Sequence, residues 1–185
     1  MLLLLPALVA SLPGCTALQQ MAALRHVTFR FDRVADVRLA GIPVGPGADY
    51  SRVGVADLAH LATAVAEGRV PLGFTAHVAA TNPAENAVTA RLIDLSWTLF
   101  VEDRRTVEGF IAGVIPIEPG TTADVPVGIE LDLREFWEGG ARDLFEIAAG
   151  IAGGANATPL RLELVPSIET DIGRIRYPAP IVVRR

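Results

Sequence analysis

The chain has 185 residues, is 51% hydrophobic and 20% charged, and carries a formal net charge of −5 at pH 7. That apolar content supports one domain with a buried core and excludes a disordered chain. Acids and bases are mixed along the sequence, arginine stands at every Lys/Arg position, and no basic face marks a nucleic-acid binder.

Residues Met1 to Gly14 (MLLLLPALVASLPG) are uncharged and strongly apolar, and they lead directly to Cys15, the sole cysteine. One cysteine excludes an intrachain disulfide and a Cys-rich metal site. The apolar run is too short to span a bilayer as a helix but has the length of a signal-peptide core. Leu12-Pro13-Gly14-Cys15 resembles the lipobox of bacterial lipoproteins, although Pro13 is unusual at its position. In a lipobox a small residue precedes the cut and the cysteine becomes the lipidated first residue. The resemblance implies a signal peptide over residues 1–14, then a lipidated Cys15 and tether over residues 15–25. Acyl chains such as palmitate on Cys15 would anchor the protein stably in a membrane. Thr16, and not Asp, follows the cysteine, which by the lipoprotein sorting rule implies the outer membrane, facing the periplasm. The alternatives are an ordinary signal peptide or a buried N-terminal strand with an incidental cysteine. About ten extended tether residues reach roughly 35 Å, which keeps the domain near the lipid.

The domain is expected over residues 26–185. His26 to Leu39 reads as a first strand, broken near Ala35-Asp36, in which Val27, Phe29 and Phe31 alternate with Thr28 and Arg30. The Gly- and Pro-dense stretch Gly41 to Gly47 is a loop. Val55 to Glu67 follows as a helix with Leu58, Leu61, Ala62 and Val65 as its apolar stripe, ended by Gly68.

Leu72 to Thr81 alternates cleanly, with Leu72, Phe74, Ala76, Val78 and Ala80 on one face. Asn82-Pro83 stops it, because proline fixes φ and has no N–H to give a ladder. The next strand begins at Val88. Its apolar parity changes near Ile93-Asp94, from Val88, Ala90 and Leu92 to Leu95, Trp97, Leu99 and Val101, and a β-bulge there would restore one buried face. So short a connection predicts an antiparallel hairpin between these two strands.

Glu102 to Arg105 is a polar turn, Thr106 to Ile117 a strand, and Glu118-Pro119-Gly120 a second turn. Ala123, Val125, Val127, Ile129 and Leu131 alternate with Thr122, Asp124, Pro126, Gly128 and Glu130, and Pro126 implies an edge strand or a side with no ladder bond. Asp132 to Glu135 has capping-box spacing for a helix reaching Ile151. That helix would bury Leu133, Phe136, Trp137, Leu144, Ala148 and Ile151, and Gly139-Gly140 predicts that it breaks into two pieces. Two last strands, Leu160 to Ile168 and Ile172 to Val183, complete the pattern. About seven strands with frequent turns and two helical insertions predict an all-β antiparallel sandwich of immunoglobulin or fibronectin III type.

Val78-Ala79-Ala80-Thr81-Asn82-Pro83, then Leu95 to Leu99 with Trp97, then Val107-Glu108-Gly109, then Ile117-Glu118-Pro119-Gly120 and Val125-Pro126-Val127 together resemble a WHy (water stress and hypersensitive response) domain. That domain belongs to the type 2 late embryogenesis abundant (LEA) family. The match spans about Phe29 to Leu131, and its marks are Asn82, Pro83, Trp97 and Gly109, which are structural. The insertion between Gly41 and Arg69 and the tail after Leu131 depart from the minimal domain. The resemblance implies an immunoglobulin-like sandwich, no cofactor and no active site, and a role in desiccation or stress tolerance.

The residues offer little chemistry. His26, His60 and His77 have no ligand spacing, and surface or packing roles suffice for each. No serine lies in a nucleophile elbow. Asp94, Glu102, Asp103 and Glu108 read as solvated acids near hairpin ends, and no loop has the acid spacing of an EF-hand. Trp97 and Trp137 read as core aromatics, with an apolar ligand pocket as the alternative. The expectation is a non-enzymatic, membrane-tethered stress-response lipoprotein of the cell envelope, without cofactor or metal. Its partners would be the membrane through Cys15 and an unidentified lipid or protein, with no nucleic acid. The alternative is a periplasmic module that binds a lipid or small ligand.

Overall fold

A computed structural model describes residues 24–153, 156–170 and 173–185. Cys15 and the apolar leader lie outside the described residues. Two antiparallel sheets face each other around one core, so the chain is an all-β sandwich.

The first sheet has the order β2-β1-β3-β6, from Ile42–Pro43, Thr28–Leu39, Pro71–Thr81 and Thr122–Asp132. The second runs β5-β4-β7-β8, from Arg104–Ile117, Ala90–Val101, Leu160–Thr170 and Gly173–Arg176; β9 (Ile181–Arg184) also pairs with β7. The final stretch is thus two short strands and not one, because Pro178 and Pro180 interrupt the ladder.

The inward residues are those the alternation selects. Leu72, Phe74, Ala76, Val78 and Ala80 of β3 are buried, as are Val125, Val127 and Ile129 of β6 and Leu160, Leu162 and Leu164 of β7. Register shifts fall where the patterns break: between Ala35 and Arg38 in β1, where Asp36 has φ +55°, and between Leu92 and Asp94 in β4. Pro126 sits on β6, an edge strand, with its missing N–H cost avoided.

The hairpin expectation for Asn82-Pro83 is overturned. β3 pairs with β1 and β6, whereas β4 pairs with β5 and β7. The corner carries the chain from one sheet to the other. Alternation reveals which face of a strand is buried; two strands facing each other across a core show the same alternation as two that pair.

Helix α1 (Val55–Ala66) ends in a Schellman motif: Gly68 N donates to Val65 O, Arg69 N donates to Ala64 O, and Gly68 has φ +74°. Its buried residues are Leu61 and Ala64, while Ala62 is exposed, because the helix rests on a narrower seam than the four-residue stripe. The capped segment after Asp132 is indeed two pieces, a 3₁₀ turn at Leu133–Glu135 and helix α2 (Ala141–Ala152). Leu144, Phe145, Ala148 and Ile151 are buried along α2, which packs against β1. Trp137 is only half-buried, in edge contact with Phe136 at 5.8 Å and with the Arg104 guanidinium 5.7 Å from its ring centre.

Candidate functional site

Asn82 is the most connected of the marked residues. Its side chain is fully buried. Its Nδ2 donates to Ile117 O at 2.8 Å and to Val88 O at 3.1 Å, and Asn86 Nδ2 donates to its Oδ1 at 2.6 Å. Its backbone N–H donates to Thr121 O, and its carbonyl accepts from Gly120 N. The side-chain amide therefore ties the end of β3 to the approach to β4 and the end of β5, and the backbone of the same residue ties it to the turn into β6. A buried amide with both donors and its acceptor satisfied stabilises and specifies one geometry. Pro83 follows, half-buried, and its carbonyl accepts from Asn86 N.

Trp97 and Gly109 are direct cross-strand partners on β4 and β5. Trp97 is buried, as expected of a core anchor. A Cβ placed on Gly109 would lie 2.3 Å from Trp97 Cζ2 and 2.6 Å from Cε2. Glycine is needed there so that the indole can lie on the backbone.

Beside this pair opens a cleft of about 550 Å³ lined from both sheets. Phe74, Trp97, Val107 and Ile129 supply apolar surface. Asp36, Arg38, Glu108 and Glu130 supply charge, and Gly73, Thr75 and Gly128 complete the wall. The volume lies within the range of small-molecule sites, about 300–1,000 Å³. Of the marked residues only Trp97 reaches it. Arg38, Gly73, Gly128 and Glu130 were not singled out by sequence, and Asp36 only as the break in its strand. They come together because β1, β3 and β6 are adjacent, an order set by crossovers. The available signal was an isolated glycine within each of two alternating strands.

The histidines take the roles of surface and packing groups. His60 Nε2 lies 3.0 Å from Ala40 O and donates to it. His77, on the outer face of β3, has Nδ1 2.8 Å from Asp124 Oδ2 and 3.1 Å from Arg33 Nη2. The carboxylate requires Nδ1 to carry the proton, so the guanidinium is paired with Asp124, at 3.5 Å, and not with the ring nitrogen. Among the described residues, no group of three or more His, Cys, Asp or Glu is placed to hold a metal ion. No helix among them is long and apolar enough to cross a membrane.

Glu102 and Asp103 form the exposed turn between β4 and β5, both at positive φ. Asp94 departs from the expectation of a solvated acid. It sits in the β4 bulge, 5% exposed, with Oδ2 2.6 Å from Arg174 Nη1. That contact is a close charge pair whose angles do not make a directed hydrogen bond. Glu108 is exposed and pairs with Arg105 at 2.6 Å. The Asp49 carboxyl, which caps the 3₁₀ turn Tyr50–Arg52, is held below its ordinary pKa by the Ser51 hydroxyl and then the Ser51 amide.

No family model matches the chain, and no curated protein matches it. Among solved structures, the chain is similar to the solution structure of a protein described as a candidate late embryogenesis abundant (LEA) protein. That likeness has a TM-score of 0.40 and 15% identity, over 94% of this chain and 76% of the other. A crystal structure of a protein from Archaeoglobus fulgidus is similar at a TM-score of 0.38 and 16% identity, over 62% of this chain and 82% of the other. Likenesses at this level carry no argument about what the chain does.

Proposed function

We propose that this chain is a non-enzymatic envelope lipoprotein, anchored through Cys15, whose WHy-type sandwich protects the membrane or its proteins during drying or related stress. The observation that carries the reading is the Asn82 clamp. The Asn-Pro mark, the end of β5 and the Gly120 turn are the same segments that carry the family resemblance, and one buried residue joins them through its side-chain amide and its backbone. The Trp97–Gly109 pair supports it in the same way. The lipobox-like Leu12 to Cys15 supports the anchor.

The test has two arms. Cys15→Ala should move the protein from the membrane to the soluble fraction on cell fractionation; unchanged membrane association overturns the anchor. Deletion of the gene should lower survival of drying, restored by the wild-type chain; unchanged survival overturns the protective role.

A second reading, a periplasmic module that binds a small ligand, is favoured by the cleft beside Trp97. A concave site with an apolar floor and a few charged groups is the usual form of a ligand pocket.

A further inference from the structure

Gly128 lies in an unbroken register, and Gly73 sits opposite Arg38 at the end of the β1 bulge; neither is forced to be glycine by its own backbone or by a packing contact. Both lie within strands, and neither has positive φ. A Cβ on Gly128 would meet nothing within 4 Å; one on Gly73 would make only ordinary contacts at 3.9 Å, with Glu130 Cγ and Ile129 O. Glycine inside a strand costs stability against alanine, through backbone entropy and the lost side-chain packing. Gly109 is different, since the indole occupies the space of its Cβ. What the other two glycines leave is room. They are diagonal neighbours on β3 and β6, as Gly73 pairs with Glu130 and Thr75 with Gly128, and both line the cleft. Mid-strand glycine marks a bulge, a bend or a place where a ligand or another backbone approaches closely; Gly73 flanks the β1 bulge, whereas Gly128 has no such irregularity beside it.

The charge of the wall selects the ligand. Three carboxylates, Asp36, Glu108 and Glu130, face one guanidinium, Arg38. Glu108 already pairs with Arg105, and Arg38 Nη1 reaches Gly41 O at 3.5 Å. Asp36 and Glu130 have no ion pair among the described residues. Asp36 is held at φ +55° by the β1 bulge, a strained conformation for a non-glycine residue that persists where the surroundings enforce it. From these observations we infer that the cleft binds a small amphipathic cation. An ammonium group faces Asp36 and Glu130, and an apolar body lies over the glycines toward Val107 and the edge of Trp97. The inference rests on the second reading above, that the cleft is a ligand site.

The test titrates the full chain with three probes of one shape: phenethylammonium, the neutral phenethyl alcohol and the anionic 3-phenylpropionate. The readout is the amide NMR signals of Gly73 and Gly128. The cation should shift both signals and bind at least tenfold more tightly than the other two. Asp36→Asn combined with Glu130→Gln should abolish that tenfold preference. Gly128→Val should block the cation while the Tm holds or rises, because the added side chain fills the cleft and suits a strand. If the neutral or anionic probe binds as well as the cation, the ligand class is wrong and the cleft still stands as a site. If no probe moves either glycine, the cleft reading falls with it. A Tm lowered by Gly128→Val would show that the glycine serves the fold, and would overturn the inference.

Discussion

Trp97 rests on the bare backbone of Gly109, with three indole atoms within 3.0 Å of where a Cβ would be. No alanine fits without moving the ring. Overpacking of this kind costs about 1–3 kcal/mol. Gly109→Ala should therefore lower stability by that amount in chemical denaturation. In a Trp97→Leu background the same change should cost clearly less, because the clash is gone, and a double-mutant cycle reads the difference. Equal costs in both backgrounds would show that the pairing does not explain the glycine.

The Asn82 amide is both donor and acceptor in a buried setting. Asn82→Ala strands the carbonyls of Val88 and Ile117. The lost partner costs about 1–3 kcal/mol at the buried Ile117 carbonyl and about 1 kcal/mol at the part-buried Val88 carbonyl, so a total of about 2–4 kcal/mol is expected. For a chain of this size that lowers Tm by roughly 5–15 °C. Asn82→Asp should be worse than alanine, since it sets a carboxylate against two carbonyl oxygens. Thermal denaturation of the two variants side by side checks the order.

Asp49 gives a pH signature. Its folded pKa is depressed by the Ser51 hydroxyl and amide. A depressed carboxylate contributes stability above its unfolded pKa and loses it as pH falls through the folded value. The cap of the Tyr50–Arg52 turn should thus persist at neutral pH and loosen only in acid, below the ordinary aspartate range. Ser51→Ala removes the larger cause and should raise the Asp49 pKa toward that range, measured by carboxyl NMR titration. An unmoved titration would show that the hydroxyl has no such role.

Asp132 joins the end of β6 to the start of β3. Its Oδ1 accepts from Val70 N at 2.9 Å and from Arg134 N at 3.0 Å. Removing a capping carboxylate typically costs about 1 kcal/mol, and here a second buried N–H is left behind. Asp132→Ala should cost about 1–3 kcal/mol in urea, and Asp132→Asn should recover part of it.

Much of the sandwich was legible because burial writes itself into parity. The break at Ile93-Asp94 and the one near Asp36 are real register shifts, and Pro126 lies on an edge. Pairing was not legible. The two-residue turn at Glu102-Asp103 sets Val101 opposite Arg104, and continued without interruption it would set Trp97 opposite Glu108. A register shift between Leu99 and Phe100 brings Gly109 there instead, and nothing local in the sequence places that shift. The cleft was hidden for the same reason. Asp36, Gly73 and Gly128 are distant in sequence and meet only through the strand order β1-β3-β6.

Strand β7 lies between β4 on one side and β8 with β9 on the other, and it begins at Leu160, well past the stretch that resembles the minimal domain. The second sheet therefore cannot close until the chain has been made past Leu160. During synthesis β4 waits with one long edge unpaired, exposed to other chains. Folding should be slow in the manner of proteins dominated by distant contacts, and a fragment ending at Leu131 should aggregate rather than fold. The stretch from Leu160 onward, which looks like an appendage in the sequence, is the piece that closes the second sheet.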